Sequence, residues 1–279
     1  MRVFHGDCLA SFYSRAVQEC ITGQEINPRG LRCYELRPVT FYTEPKSYLK
    51  LLTSSGVSYR FAHAELMAVV NGWDDVAWLE RFRPGYGQFS DDGVTLHGAY
   101  GKRFKDTQQL ERAIARLSNE PYTRQIVLNI WNPLDLTYKS NDIPCNTQIL
   151  LKVRPNPIGE DTLHMTVIRR SADIIWGVPY DHYVFGGLLY IIADCLRVQC
   201  GTLTEVIDSL HIYDGSANFY DNNRVNKALT AKRSARKSRR LERDQSRVST
   251  ADSARTRFYN WRSYYKTIRR EVENEVVTL

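Results

Sequence analysis

The stretch Arg170-Ser171-Ala172-Asp173-Ile174-Ile175-Trp176-Gly177-Val178-Pro179-Tyr180-Asp181 joins two different patterns, and its reading decides the fold. Before it, Leu163 to Arg169 alternates as a strand does; after it, Val184 to Val198 is a long apolar run of helical length. Gly177 and Pro179 mark a turn between the two. Arg170 and Ser171 stand where the strand ends. Arginine beside a hydroxyl is a natural phosphate grip, because the planar guanidinium pairs bidentately with phosphate oxygens.

Outward from this stretch, strands and helices continue to intermingle. Gln148 to Val153 and Leu163 to Arg169 read as a hairpin closed by the turn residues RPNPIGED at 154–161. Residues 6 to 23 read as a helix, and 31 to 43 as a strand broken by Pro38. Ala62 to Val70 suits a buried helix ended by Asn71-Gly72, Thr107 to Leu117 a further helix, and Gln125 to Trp131 an apolar strand. Glu205 to Tyr213 closes the body with a last apolar stretch. Such a mixture predicts one α/β (α+β) domain over residues 1–223.

Residues 224–279 have a different composition. They hold 16 Lys/Arg against 6 Asp/Glu, whereas residues 1–223 hold 22 against 25, so the formal net charge of +7 belongs to a basic C-terminal extension. Ten of its cations fall between Arg224 and Arg247. A solvated, helical charged face is the plain expectation; contact with nucleic acid or another phosphate-bearing partner, or a role at a subunit surface, are the alternatives.

With 43% hydrophobic and 25% charged residues, the chain has neither disordered nor collagen-like composition. Its opening stretch, MRVFHGDCLASFY, lacks the organisation of a signal peptide, and no apolar run approaches the roughly 20 residues that span a bilayer. The expectation is a soluble cytoplasmic protein without membrane contact, in the host cytoplasm if the source is viral. Cys8, Cys20, Cys33, Cys145, Cys195 and Cys200 form no CxxC pair and no HExxH occurs, so neither disulfides nor a metal site is expected.

Three ordered blocks resemble thymidylate synthases and their nucleotide hydroxymethylase relatives: Pro144-Cys145, the stretch 170–180, and Asp208-Ser209-Leu210-His211-Ile212-Tyr213. Weaker likeness lies in Ala64-Glu65-Leu66 up to Gly72, in Tyr100-Gly101-Lys102-Arg103, and in Pro121-Tyr122-Thr123-Arg124 ahead of Trp131-Asn132-Pro133. The resemblance runs from about residue 20 to about residue 220 and leaves out the basic tail. It implies a large mixed β-sheet flanked by helices, a homodimer, and one-carbon transfer from 5,10-methylenetetrahydrofolate to C5 of a pyrimidine nucleoside monophosphate.

Site residues follow by the same resemblance. Cys145, at a strand edge after a proline, would be the nucleophile. A cysteine reacts as thiolate, and arginines beside it would lower its ordinary pKa of about 8.5. Glu65 would arrange water and proton transfers, with Tyr100 nearby. Arg170, Ser171, Arg29 and Arg124 would grip the phosphate, Arg124 reaching over from the other subunit. His211 and Tyr213 would hold the sugar hydroxyl, and Asp173 and Gly177 would face the folate.

Departures from the family pattern narrow the substrate. Asn146 stands where histidine usually follows the nucleophile, Leu150 where a glutamine is usual (Gln148 lies nearby), and Gln125 where a second phosphate arginine is usual. Asp181 stands where dUMP-using members carry the asparagine that reads the base edge. A carboxylate accepts from the N4 amino group of cytosine and, with one proton shared at N3, makes a second bond, whereas it meets the O4 acceptor of uracil unpaired. The predicted substrate is therefore a cytidine monophosphate nucleotide, dCMP or CMP. Absence of tryptophan between Trp78 and Trp131 suggests a wet site and a hydroxymethyl product, although Tyr86 or Phe89 could supply an aromatic wall. Alternatives are a dCMP methyltransferase, a thymidylate synthase or dUMP hydroxymethylase, and a non-catalytic relative that binds nucleic acid.

Overall fold

The computed structural model describes residues 1–44 and 57–214; the predicted basic extension, 224–279, lies outside them. The larger sheet orders its strands β1 (Arg2–Gly6), β4 (Val39–Thr43), β9 (Gln199–Ile207), β7 (Asp161–Arg169), β6 (Asn146–Pro155) and β5 (Val127–Asn129). The smaller sheet orders β2 (Gln24–Ile26), β3 (Cys33–Leu36), β10 (Leu210–Tyr213) and β8 (Ala172–Asp173). Parallel pairs β1–β4 and β7–β9 alternate with antiparallel β4–β9 and β6–β7, so the larger sheet is mixed, as expected.

Besides the passages through α1 and α6, three connections cross directly between the sheets: β3 to β4 through Arg37-Pro38, β7 to β8 through Arg170-Ser171, and β9 to β10 through Asp208-Ser209. The break expected at Pro38 within 31–43 is where β3 ends and β4 begins, since Pro38 has no N–H to continue a ladder, and the two parts join different sheets. Backbone bonds stitch the other two crossings together, Asp208 N–H to the Arg169 carbonyl (3.0 Å) and Ala172 N–H to that of Ser209 (2.8 Å). The Arg-Ser pair therefore sits at a shared break in both sheets.

Helices close the core over these strands. On α1 (Leu9–Ile21), Phe12 packs with Phe4 and Phe41 of β1 and β4, their ring centroids 5.2 to 6.0 Å apart, and Tyr13 donates to the Ile174 carbonyl (2.7 Å). The apolar helix expected from residue 184 is α6 (Gly177–Leu196) and begins a full two turns earlier, because Pro179 falls in the first turn, where its missing N–H needs no partner. It packs against β7, β9 and α2 (Tyr59–Asn71). Ser58 caps α2 at its start by accepting from Phe61 N–H, and left-handed Gly72 ends it.

Two glycines bring site-bearing helices together. A Cβ on Gly187 of α6 would lie 2.5 Å from Leu66 Cδ2, and one on Gly101 of α4 (Tyr100–Asp106) would lie 2.4 Å from the Val69 carbonyl oxygen. Their bare backbones allow Glu65 and Tyr100, the neighbours of Leu66 and Gly101, to approach each other. Short helices α3 (Val76–Glu80) and α4, along with β1, were not anticipated, and the helix expected at 107–117 is α5 (Gln109–Asn119). Arg103 of α4 fixes the neighbouring loops: it donates twice to Asp135 (2.6 and 2.9 Å), to the Ile130 carbonyl and to the His97 carbonyl (each 2.8 Å).

Candidate active site

Cys145 ends the loop that runs from the 3-10 turn Pro133–Leu136 to the start of β6. The exposed Arg170 folds back over it: Nε donates to the Pro144 carbonyl and Nη2 to that of Ile143 (both 2.9 Å), with Nη2 3.9 Å from Cys145 Sγ. The guanidinium also lies 5.5 Å from the Trp131 ring centroid. The arginines expected beside the nucleophile are present, yet the expected lowering does not prevail. Burial pushes the Cys145 thiol above its usual range, and Arg170 and Arg169 offset only part of that rise.

Glu65, Tyr86, Tyr100, Asp142 and Asp181 line one cleft, with Trp73, Leu79 and Leu96 among its apolar walls. Burial holds the Glu65 carboxyl well above the ordinary carboxylate range, and the Asp181 charge adds to the rise. Glu65 Oε2 is buried without a hydrogen-bond partner. Asn146, fully buried at the start of β6, donates from Nδ2 to Tyr100 Oη (2.6 Å) and leaves its own Oδ1 without a partner. The Tyr100 ring stacks on Phe185 at 6.0 Å. Asp142 Oδ2 accepts from Gly98 N–H (2.8 Å), and burial raises its pKa also.

Behind Asp181 runs a buried chain of charges. Arg169 donates from Nη1 to Asp181 Oδ2 (2.8 Å) and from Nη2 to Glu205 Oε1, and Glu205 Oε2 accepts from His182 Nδ1 (2.7 Å), which assigns the ring hydrogen to Nδ1. The Arg169 side chain is 0% exposed, that of Glu205 1%, and that of Asp181 18%, so only the last of the three opens toward the cleft. Phe185 lies beneath the guanidinium as well as Tyr100, 5.5 Å from the former to its ring centroid. Sequence reasoning missed Arg169, Glu205 and His182. A signal existed: Arg169 continues the phase of core residues Met165 and Val167, and Glu205 that of Leu203 and Ile207, so opposite charges occupy core positions on paired strands.

A second group of predicted residues gathers on the smaller sheet. Ser171 Oγ lies 3.3 Å from His211 Nδ1, and His211 meets Tyr213 edge-on at 5.1 Å. Burial raises the Tyr213 pKa and Asp173 adds to it, whereas Arg29, hydrogen-bonded to the phenol, lowers it. Arg29 itself adopts a left-handed conformation (φ 56°) in the turn Pro28–Gly30. Asp173 Oδ1 accepts from the N–H groups of Ile175 and Trp176 (2.7 and 3.1 Å), and Gly177 opens α6 beside it. Arg124 stands apart, exposed in the turn before β5, with no side-chain hydrogen bond to another predicted site residue among the described residues.

A family model described as thymidylate synthase matches residues 13–271, beyond both ends of the span noted in the sequence. The chain belongs to the thymidylate synthase family. The thymidylate synthase of T4 phage shares the fold, with a TM-score of 0.62 at 21% identity over 74% of this chain and 77% of the other. Deoxyuridylate hydroxymethyltransferase of Bacillus phage SP01 is 30% identical over 231 residues, covering 76% of this chain and 59% of that protein. Its counterpart in Pseudomonas phage M6 is 31% identical over 180 residues, covering 63% of this chain and 50% of that protein. Thymidylate synthase of Mycoplasma genitalium is 28% identical over 127 residues, 46% and 42% of the two chains. The chain thus spans between half and three fifths of the length of these two phage relatives.

Proposed function

We propose that this member of the thymidylate synthase family transfers a one-carbon unit from 5,10-methylenetetrahydrofolate to C5 of a cytidine monophosphate nucleotide, with a hydroxymethyl product. The observation that carries the cytosine assignment is the Asp181 carboxyl in the cleft, held by Arg169 beside Cys145 and Tyr100. Toward a reduced folate the cleft offers Tyr86 and Trp73 as aromatic walls for a flat heterocycle and the buried Glu65 carboxyl as a polar partner. Tyr86 and Trp73 of the cleft, with Asp173 and Gly177 outside it at the start of α6, are the residues that would hold it. When bound, it supplies a one-carbon unit at the oxidation level of formaldehyde.

The chain's own groups carry the remaining chemistry. Cys145 adds as thiolate to C6 of the pyrimidine, making C5 nucleophilic, and is expelled at the end. Glu65, pushed by burial toward its protonated form, can donate a proton and, once ionised, take the one that leaves C5. Asn146 and Tyr100 fix the polar edge beside the base. Arg170, Ser171 and Arg29 take the phosphate, and His211 and Tyr213 the sugar. Tyr86 fills the aromatic wall that the missing tryptophan had left in doubt, so a wet site now rests on the carboxyls of Glu65 and Asp142 that line the cleft.

A homodimer completes the proposal. Leu150, Thr166, Ile168, Thr204, Val206 and Tyr42 share the half-buried face of the larger sheet, turned away from α6, and Arg124 precedes an edge strand of that sheet. A second reading, a uracil substrate, is favoured by the phage relatives, which are deoxyuridylate hydroxymethyltransferases. Side-by-side turnover of dCMP, CMP and dUMP with mass spectrometry of the products decides. Cytosine nucleotides turned over best, with a gain of CH2O, is the expected result; dUMP as clearly the best substrate overturns the cytosine assignment.

A further inference from the structure

Three carboxyls line the cleft, those of Glu65, Asp142 and Asp181, and the chemistry set out above gives tasks to the first and the last. Asp142 stands three residues before Cys145 in a loop that is tied down twice. Asn141 N–H donates to Asp91 Oδ1 (2.9 Å), and Asp142 N–H donates to Ser140 Oγ (3.0 Å). Gly98 fixes the carboxyl itself. Its N–H donates to Asp142 Oδ2 (2.8 Å), and a Cβ there would lie 2.6 Å from the Asp142 carbonyl oxygen and 3.0 Å from Oδ1. A side chain at 98 would force the two apart. Among the described residues Oδ1 has no hydrogen-bond partner, and its carboxyl shares the cleft with Tyr86 and Tyr100.

We propose that Asp142 is a further catalytic residue, the base that takes a proton from the water that converts a C5 methylene into the hydroxymethyl group. The inference rests on the hydroxymethyl reading and holds for a cytosine or a uracil ring alike. After one-carbon transfer the ring carries an exocyclic methylene on C5 and a bond from C6 to the Cys145 sulfur. The oxygen of water bonds to the methylene carbon, and the electrons of the C5–methylene double bond move into the ring toward C4. They return as the C5–C6 double bond while the C6–S bond breaks, and sulfur leaves with its pair as thiolate. The proton given up by water goes to Asp142, which ends neutral, so atoms and charge balance.

Surroundings favour Asp142 over Glu65 for this step. Glu65 Oε2 has no partner, and burial together with Asp181 pushes the carboxyl toward its acid form, suited to holding the proton that leaves C5. Burial raises the Asp142 pKa and Asp91 adds to it, whereas the Gly98 N–H, His97 and Arg103 pull it back toward the ionised form. A carboxylate kept ionised, yet more basic than one in water, is the better acceptor for a proton from water. Its charge also reaches the nucleophile, since Asp142 is among the groups that raise the Cys145 pKa. While sulfur is bonded to C6 it is neutral, and the two do not oppose each other. Protonation of Asp142 then removes a repelling neighbour as the thiolate departs, so removing the proton of water and expelling sulfur assist one another.

The test follows a single turnover of the full chain with C5-tritiated dCMP and, in parallel, C5-tritiated dUMP, with samples quenched for mass spectrometry. Tritium release reports formation of the methylene, and a gain of CH2O reports its hydration. In wild type the two should keep pace. In Asp142→Asn, whose side-chain carbonyl can still accept from Gly98 N–H, tritium should be released within a few-fold of the wild-type rate while the gain of CH2O lags by about 10²-fold or more. The stalled species should appear as a protein–nucleotide adduct on Cys145, and added 2-mercaptoethanol, whose thiolate needs no base, should discharge it as a thioether. Asp142→Glu, which keeps a carboxylate, should recover part of the lost rate. If Asp142→Asn fails to bind nucleotide in an equilibrium titration, Asp142→Glu carries the test, its displaced carboxylate lagging by a smaller factor. Hydration that keeps pace with tritium release in the variants, or both readouts slowed equally, overturns the inference and leaves the hydroxymethyl reading standing. A gain of CH2 by the wild type overturns that reading and the inference with it, because no water step then exists.

Discussion

Cys145 and Glu65 sit in surroundings that push both toward their uncharged forms, which sets them opposite tasks. Burial raises the thiol pKa, so the fraction present as thiolate, and with it the rate, should climb as pH rises; a rate falling between neutral and mildly alkaline pH would contradict this assignment. Release of tritium from C5-labelled nucleotide is the direct measure of addition at C6. Wild type should release it and Cys145→Ala should not, and equal release by both would remove Cys145 from the mechanism. Glu65→Gln keeps shape and polarity but cannot move a proton, so kcat should fall by about 10²- to 10⁴-fold with KM changed far less. These proposed roles come from short motifs, because a candidate nucleophile and acid are named by residue type. The charge chain behind Asp181 was not legible there, since nothing local says that Arg169 and Glu205 meet.

At the scale of elements, glycine contacts fix how close the reacting groups come. Gly101→Ala would drive a methyl into the Val69 carbonyl, an atom of the α2 backbone that cannot swing aside, so α4 must move and carry Tyr100 with it. We expect a loss of about 1–3 kcal/mol in urea unfolding together with a lower kcat, as overpacking of a close helix contact implies. An unchanged kcat would mean that Tyr100 need not be held where it is. Helix α6 carries the other half of this geometry, presenting Asp181 and His182 at consecutive positions to Arg169 and Glu205 on different strands. Its apolar run was readable, whereas its first two turns were hidden by Gly177 and Pro179, which look like a loop until the proline is seen to fall in the first turn.

Across the whole molecule, two further expectations concern stability and assembly. Burial alone would raise the Asp135 pKa, but bonds from Arg103, the Asn132 N–H and His97 hold it at about 2. With an unfolded value near 3.9, its contribution is complete above that pH and is lost as pH falls toward about 2. Denaturation midpoints of wild type should therefore drop over that window, while Asp135→Asn should start lower and lose less; parallel curves would show that Asp135 is not the group responsible. For the proposed dimer, light scattering should give twice 32.3 kDa. Mixing inactive Cys145→Ala with inactive Arg124→Ala subunits should restore part of the activity, because one mixed site would hold both an intact thiol and a partner's arginine. No restoration would place Arg124 in its own subunit's site or outside any site.

By itself the sequence determined the alternation of strands and helices, the family, and which groups are the candidates for chemistry, because periodicity and short motifs are local properties of a chain. It also located Asp181 as the point of departure from the asparagine pattern. Tertiary structure alone decided what surrounds those groups. Residues 169, 181 and 205 are far apart in order and meet only because β7 and β9 lie side by side and α6 crosses behind them. The same packing brings Glu65 and Asp142 from separate loops and helices into one cleft, and lets burial outweigh the arginines at Cys145. Desolvation depends on everything packed around a group, so the sign of a pKa shift cannot be read from neighbours in the chain.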